Sequence, residues 1–146
     1  MTLPFPADSG EYVLYCDGAS RGNPGAASIG YVLFDSTGNE VAAHGAALGT
    51  QTNNFAEYTA LVEGLAHAAT LGVRRIRVRM DSELAVRQML GIYRVKNEGL
   101  KPLFAAAQQQ RSRFASFRIE HVPRAENARA DSLANAALDA LKSPSQ

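Results

Sequence analysis

Between residues 49 and 55 the spacing of apolar side chains changes from two to three and four, which points to a fold mixing sheet and helix. Before the change, residues 11–17, 26–35 and 40–49 read as three successive strands. A Gly- and Pro-punctuated loop, ASRGNPG, follows the first strand, and the turn-like Ser36-Thr37-Gly38-Asn39 joins the second to the third as a hairpin. After the change, Phe55, Tyr58, Leu61, Val62 and Leu65 recur at helical spacing, with a stop at Leu71-Gly72. Residues 74–81 alternate Ile76, Val78 and Met80 with Arg75, Arg77 and Arg79, the signature of a strand with one wet face. Asp81-Ser82 opens a helix over about 83–90, and a second helix over about 100–114 follows a loop with Lys96, Asn97 and Gly99. Residues 117–123 return to strand, and a helix over about 127–141 places Leu133, Ala137, Leu138 and Leu141 on one face. The order βββ, α, β, α, α, β, α predicts an α/β domain: an antiparallel meander extended by parallel strands through helical crossovers.

At 146 residues the chain accommodates one domain, expected over residues 11–141, with short tails at 1–10 and 142–146. No apolar run approaches the ~20 residues that span a bilayer, and no basic segment leads into an apolar one at the N-terminus. Cytoplasmic residence without membrane partners is therefore expected. The lone Cys16 excludes an intramolecular disulfide and a cysteine-based zinc site, in keeping with a reducing compartment. The formal charge of +1 hides an asymmetry: residues 1–60 carry −5 and the remainder +6. Residues 74–124 carry +8, enough to face phosphates or simply to solvate helix surfaces.

Four carboxylates stand at informative places. Asp17 ends the first strand, Glu57 lies in the first turn of the first helix, Asp81 ends the fourth strand, and Asp131 begins the last helix. Each has a structural reading: a turn residue before Gly18, the third position of a capping box opened by Asn54, a helix cap, and a charge on a positive helix end. Their convergence reads differently. Strands one and four can lie side by side, so their C-terminal ends would bring Asp17 and Asp81 together. Adjacent carboxylates repel unless a hard divalent cation neutralises them, and Mg²⁺ favours such oxygens. Two such ions about 4 Å apart can activate a water and stabilise a leaving oxygen in phosphodiester hydrolysis.

The segments YCDGASRGNPGAASIGYVL, TNNFAEYTALVEGL, VRMDSELAV and HVPRAENARADSLANAA resemble, in order and separation, the motifs of type I ribonuclease H. The likeness covers about residues 11–140. It implies a ribonuclease H-like fold, a five-stranded mixed sheet of order 3-2-1-4-5 flanked by helices. It also implies metal-dependent endonucleolytic hydrolysis of the RNA strand of RNA/DNA hybrids. The metal ligands and catalytic acids carried over are Asp17, Glu57, Asp81 and Asp131, with two Mg²⁺ ions when substrate is bound and Mn²⁺ as an alternative. Gly18, Asn23, Asn53 and Asn54 fall where the family contacts the minor groove and the RNA 2′-hydroxyls, which amides can both donate to and accept from. Thr52 and Asn97 resemble a pocket for a DNA-strand phosphate, although Thr50 stands where some members have arginine; helix capping is the alternative for Thr52, Asn53 and Asn54.

The chain departs from the best-known bacterial members in lacking their basic, Trp-rich protrusion: only LGIYRVKNEGL bridges that region. Arg74, Arg75, Arg77, Arg79, Arg94, Lys96 and Lys101 are the candidates to supply affinity instead, and Glu83 stands where glutamine is common. His121 has the spacing of a histidine that assists turnover in many members, but its position at a strand end makes Arg124 an equal candidate. His44 and His67 read as surface or boundary residues. A monomer is expected. The alternatives to a hybrid-specific enzyme are a relaxed nuclease that also cuts RNA/RNA and a non-catalytic hybrid-binding domain.

Overall fold

The computed structural model describes residues 9–142, so nearly all of both expected tails lies outside the described residues. Strands β1 (Glu11–Gly22), β2 (Gly25–Phe34) and β3 (Glu40–Gln51) form an antiparallel meander. Strands β4 (Arg75–Met80) and β5 (Ser116–His121) join it in parallel, giving one five-stranded sheet of order β3-β2-β1-β4-β5. Helix α1 (Asn53–Thr70) crosses from β3 to β4, and α2 (Glu83–Met89) and α3 (Lys101–Arg111) connect β4 to β5. A 3₁₀ turn at Arg124–Asn127 leads into α4 (Ala128–Lys142). No described helix is long and apolar enough to cross a membrane.

The main core lies on one face of the sheet, where Tyr12, Leu14 and Cys16 of β1 and Ile76, Val78 and Met80 of β4 meet Tyr58, Leu61 and Leu65 of α1. The Tyr58 hydroxyl donates to Gln88 Oε1 at 2.6 Å, so the polar tip of this buried ring is satisfied. Helix α4 covers β2 and β3 on the opposite face. Its buried stripe is Ala130, Ala134 and Leu138; of the expected face Leu138 is buried, while Leu133 and Ala137 are half-buried and Leu141 is exposed, which shifts the stripe toward the small residues. Small residues are required there because Gly30 and Gly45 let the helix backbone touch the sheet. A Cβ on Gly45 would lie 2.5 Å from the Leu133 carbonyl oxygen.

The loop expected at 19–25 is mostly strand. Beyond Asp17, β1 runs on in register with β2 as far as Gly22↔Gly25, leaving only Asn23-Pro24 in the turn. The continued ladder satisfies backbone groups that a loop would leave to water, and Gly22 takes the positive φ of 99° that the turn requires.

Candidate active site

Strand β4 ends at Met80, opposite Cys16, while β1 continues; Asp17 and Asp81 are the next residues on each strand and meet where the ladder stops. Asp81 is not the helix cap, because the Ser82 hydroxyl accepts from the Ala85 amide at 3.2 Å. That leaves the Asp81 carboxylate free to accept from Asn127 Nδ2 at 2.7 Å. Glu57 likewise has no capping role: Thr52 caps α1 by accepting from the Phe55 amide at 3.2 Å, which places Glu57 in the second turn on the buried face. Gly18 brings it to the site. Any Cβ at Gly18 would collide with the backbone of Ala56 and Glu57, so the absent side chain lets α1 press on β1, and the Gly18 amide donates to Glu57 Oε1 at 2.6 Å. Asp131 enters from the first turn of α4, where the helix dipole favours its charge.

Asp17, Glu57 and Asp81 each offer an oxygen within 4.8 Å of the others, and Asp17 and Glu57 are each only 5% exposed. With Asp131 they line a cleft of about 310 Å³. Burial, then the Glu57 charge, pushes the Asp17 carboxyl far above the ordinary carboxylate range. Burial and the Asp81 charge push Glu57 upward too, against the Gly18 hydrogen bond. The cations at the cleft are Arg124, 3.7 Å from Asp131, and Arg21, whose guanidinium is paired with Asp139 at 2.7 Å. Neither is paired with Asp17, Glu57 or Asp81. A set of all-oxygen donors, mutually repelling and short of local positive charge, fits a hard divalent cation.

The reverse-transcriptase-like family model matches residues 15–137. Ribonuclease HI of Halobacterium salinarum is 44% identical over 134 residues, covering 92% of this chain and 67% of that protein. The crystal structure of RNase H1 from that archaeon superposes with a TM-score of 0.87, covering 90% of this chain and 99% of the other. The chain belongs to the ribonuclease HI family. It is a ribonuclease H enzyme, and the sheet order implied by its motifs is the order observed. LC11-RNase H1, whose crystal structure is in complex with an RNA/DNA hybrid, is 42% identical with a TM-score of 0.86, covering 90% of this chain and 99% of that one. The bifunctional protein Rv2228c of Mycobacterium tuberculosis is 46% identical over 129 residues, 88% of this chain but 35% of that protein, so the chain spans about a third of its length.

Within this ribonuclease H the four acids, Gly18, Asn53 and Arg124 line one cleft. Asn23 sits beside them at the hairpin turn, where its Oδ1 accepts from the Asn53 amide at 3.0 Å and ties the β1–β2 tip to the start of α1. Thr52, Asn54, Asn97 and His121 lie outside the cleft lining. Thr52 caps α1, and Asn97 closes its own turn by accepting from the Gly99 amide at 2.8 Å. His121 is the last residue of β5 and exposed. Among the described residues no helix stands between α2 and α3, as expected for a form without the protrusion.

Three residues with no predicted role belong to the site. Asn127, 1% exposed, donates Nδ2 to both the Cys16 carbonyl at 2.8 Å and Asp81, locking the two strand ends together. Asn135 and Arg21 line the cleft. The signal was present: Asn127 and Asn135 flank Asp131 by four residues on each side, one helical turn, in an otherwise Ala-rich segment.

Proposed function

We propose that this chain cuts the RNA strand of RNA/DNA hybrids internally by metal-dependent hydrolysis, with Asp17, Glu57, Asp81 and Asp131 holding two Mg²⁺ ions in the substrate complex and Mn²⁺ able to replace them. The observation that carries this reading is the trio of carboxylates within 4.8 Å, two of them buried. The hybrid bound to LC11-RNase H1 supports the substrate class. When bound, the ions supply a water of lowered pKa and compensate charge on the leaving oxygen.

The protein's own groups do the rest. Asp17 and Asp81, anchored on two adjacent strand ends, form a rigid floor. The Gly18 amide fixes one Glu57 oxygen, which orients the carboxylate toward the cleft and toward the RNA 2′-hydroxyl beside the scissile phosphate. Asn53 offers an amide at the rim that both donates and accepts, as reading a 2′-hydroxyl requires. Arg124, exposed at the mouth beside Asp131, is placed to draw the cleaved phosphate outward, whereas His121 lies outside the cleft lining.

The test offers matched end-labelled RNA/DNA, RNA/RNA, DNA/DNA and single-stranded RNA with Mg²⁺, Mn²⁺ or EDTA, using Asp17→Asn to exclude contaminating nuclease. Metal-dependent internal cuts confined to the hybrid's RNA strand are expected. Comparable cutting of RNA/RNA would replace this reading with a relaxed duplex ribonuclease, and binding without cleavage would refute it.

A further inference from the structure

Asp131 approaches the other three acids from a separate helix. Its side chain is 29% exposed, and its carboxylate lies against that of Asp17 in the cleft. The brace on its own helix is Asn135, one turn along α4, whose Nδ2 donates to the Asp131 carbonyl at 2.9 Å and to Asp131 Oδ1 at 3.2 Å. The other end of that amide faces the β1–β2 hairpin, where an Arg21 terminal nitrogen donates to Asn135 Oδ1 at 3.4 Å and to Asp139 Oδ1 at 2.7 Å. Residues 131, 135 and 139 occupy one face of α4 at successive turns, with Arg21 laid across the last two.

We propose that Arg21 is a positioning residue that sets Asp131 for a divalent cation by holding the Asn135 amide in one orientation. The reasoning is electrostatic. An asparagine amide can rotate by half a turn, which would place its oxygen, not its NH₂, against the Asp131 carboxylate. A guanidinium on the oxygen side favours the observed orientation and polarises the NH₂ toward the carboxylate. Asp139 holds the guanidinium over α4, so the hairpin that carries Asp17 and the helix that carries Asp131 are set relative to one another. This inference rests on Asp131 being a metal ligand, as proposed above.

The test measures Mn²⁺ binding to the full chain by calorimetry, without and with hybrid, beside the metal concentration that half-saturates hybrid cleavage. Asn135→Ala is expected to weaken Mn²⁺ binding with hybrid by about tenfold. Arg21→Ala should weaken it by about fivefold. Arg21→Lys, which keeps the charge, should recover part of the loss, and Arg21→Ala should add nothing in the Asn135→Ala background. The hybrid KM at saturating metal should stay unchanged. A raised KM with unaltered metal dependence would make Arg21 a substrate contact and overturn the proposal, as would a lowered Tm with unaltered Mn²⁺ binding. Wild-type chain that binds Mn²⁺ yet leaves hybrid uncut would refute the proposed activity, while calorimetry would still judge the relay by itself.

Discussion

The cleft concentrates negative charge where water is scarce, and one substitution exposes the consequence. Asp17→Asn keeps the shape of the side chain and removes a carboxyl that burial and the Glu57 charge make costly to ionise in the folded state. Cleavage should fall by about 10³-fold or more, while Tm in EDTA should rise by a few degrees; a lowered Tm with lost circular dichroism would show that the fold had failed instead. The same electrostatics predicts a pH dependence. Asp17, raised from 3.8 to about 10, and Glu57, raised from 4.5 to about 8, keep protons in the folded state that the unfolded chain has released. Folded protein thus binds more protons than unfolded protein across this interval, so its stability falls as pH rises. In EDTA, Tm should decline from about pH 5 to 9, with a shallower decline for Asp17→Asn; a flat profile for the wild type would contradict the burial argument. At the mouth, Arg124→Ala should lower kcat severalfold more than His121→Ala, because only Arg124 lines the cleft. Equal effects or the reverse order would return the role to His121.

At the scale of elements, the site depends on how closely two helices approach the sheet. Glu57 reaches Asp17 because α1 packs on the bare backbone of Gly18, and Asp131 reaches the same cleft because α4 packs on Gly30 and Gly45. A Cβ on Gly30 would lie 2.7 Å from the Ala134 amide nitrogen and collide with the Ala130 carbonyl, both backbone atoms that cannot swing aside. Gly30→Ala should therefore destabilise the fold by about 2–3 kcal/mol and raise the metal concentration needed for cleavage, since displacing α4 carries Asp131 with it. Thermal unfolding together with a Mg²⁺ titration would check both; an unchanged metal requirement would show that α4 accommodates the methyl without moving its N-terminus. The strand extension beyond Asp17 has the same consequence. It carries Ser20 and Arg21 to the cleft wall and the hairpin turn to the start of α1.

Across the whole molecule, the positive charge of residues 74–124 divides into spent and unspent parts. Arg77 and Arg79 face away from the main core and pair with Glu120 at 2.6 and 2.8 Å; Arg79 also pairs with Glu126 at 3.1 Å and donates to the Tyr15 hydroxyl at 2.6 Å. Lys101 pairs with Glu98 at 2.5 Å, and Arg75 sits at the far end of β4, about 20 Å from Asp81 at the usual rise per strand residue. Arg94 and Lys96 are exposed in the 90–100 segment, with no carboxylate partner among the described residues. Charge reversal of Arg94 and Lys96 together should raise the hybrid KM severalfold and lower the slope of log affinity against log salt by about 0.9 per lost contact. Arg75→Glu should leave both within twofold. Equal sensitivity at Arg75 and at the Arg94/Lys96 pair would mean that hybrid binding uses the sheet face.

The sequence by itself determined the element types and their order, because apolar period and breaker residues act over a few positions: the Ile76/Val78/Met80 alternation, the Phe55–Leu65 spacing and the Asp81-Ser82 step could be read directly. Its motifs also carried the family, and through it the four acids and the sheet order. Only the tertiary structure decided which plausible local roles were filled. Thr52 and Ser82 take the caps, which releases Glu57 and Asp81 for the cleft; Arg77 and Arg79 of β4, basic in the sequence, are paired with Glu120 across the sheet. Asn127 binds the Cys16 carbonyl across 111 positions and Arg21 binds Asn135 across 114. Such partnerships depend on which elements become neighbours, and hydrogen bonds and ion pairs extend only about 3 Å, so a local pattern in one segment does not reveal the atom that another segment will place beside it.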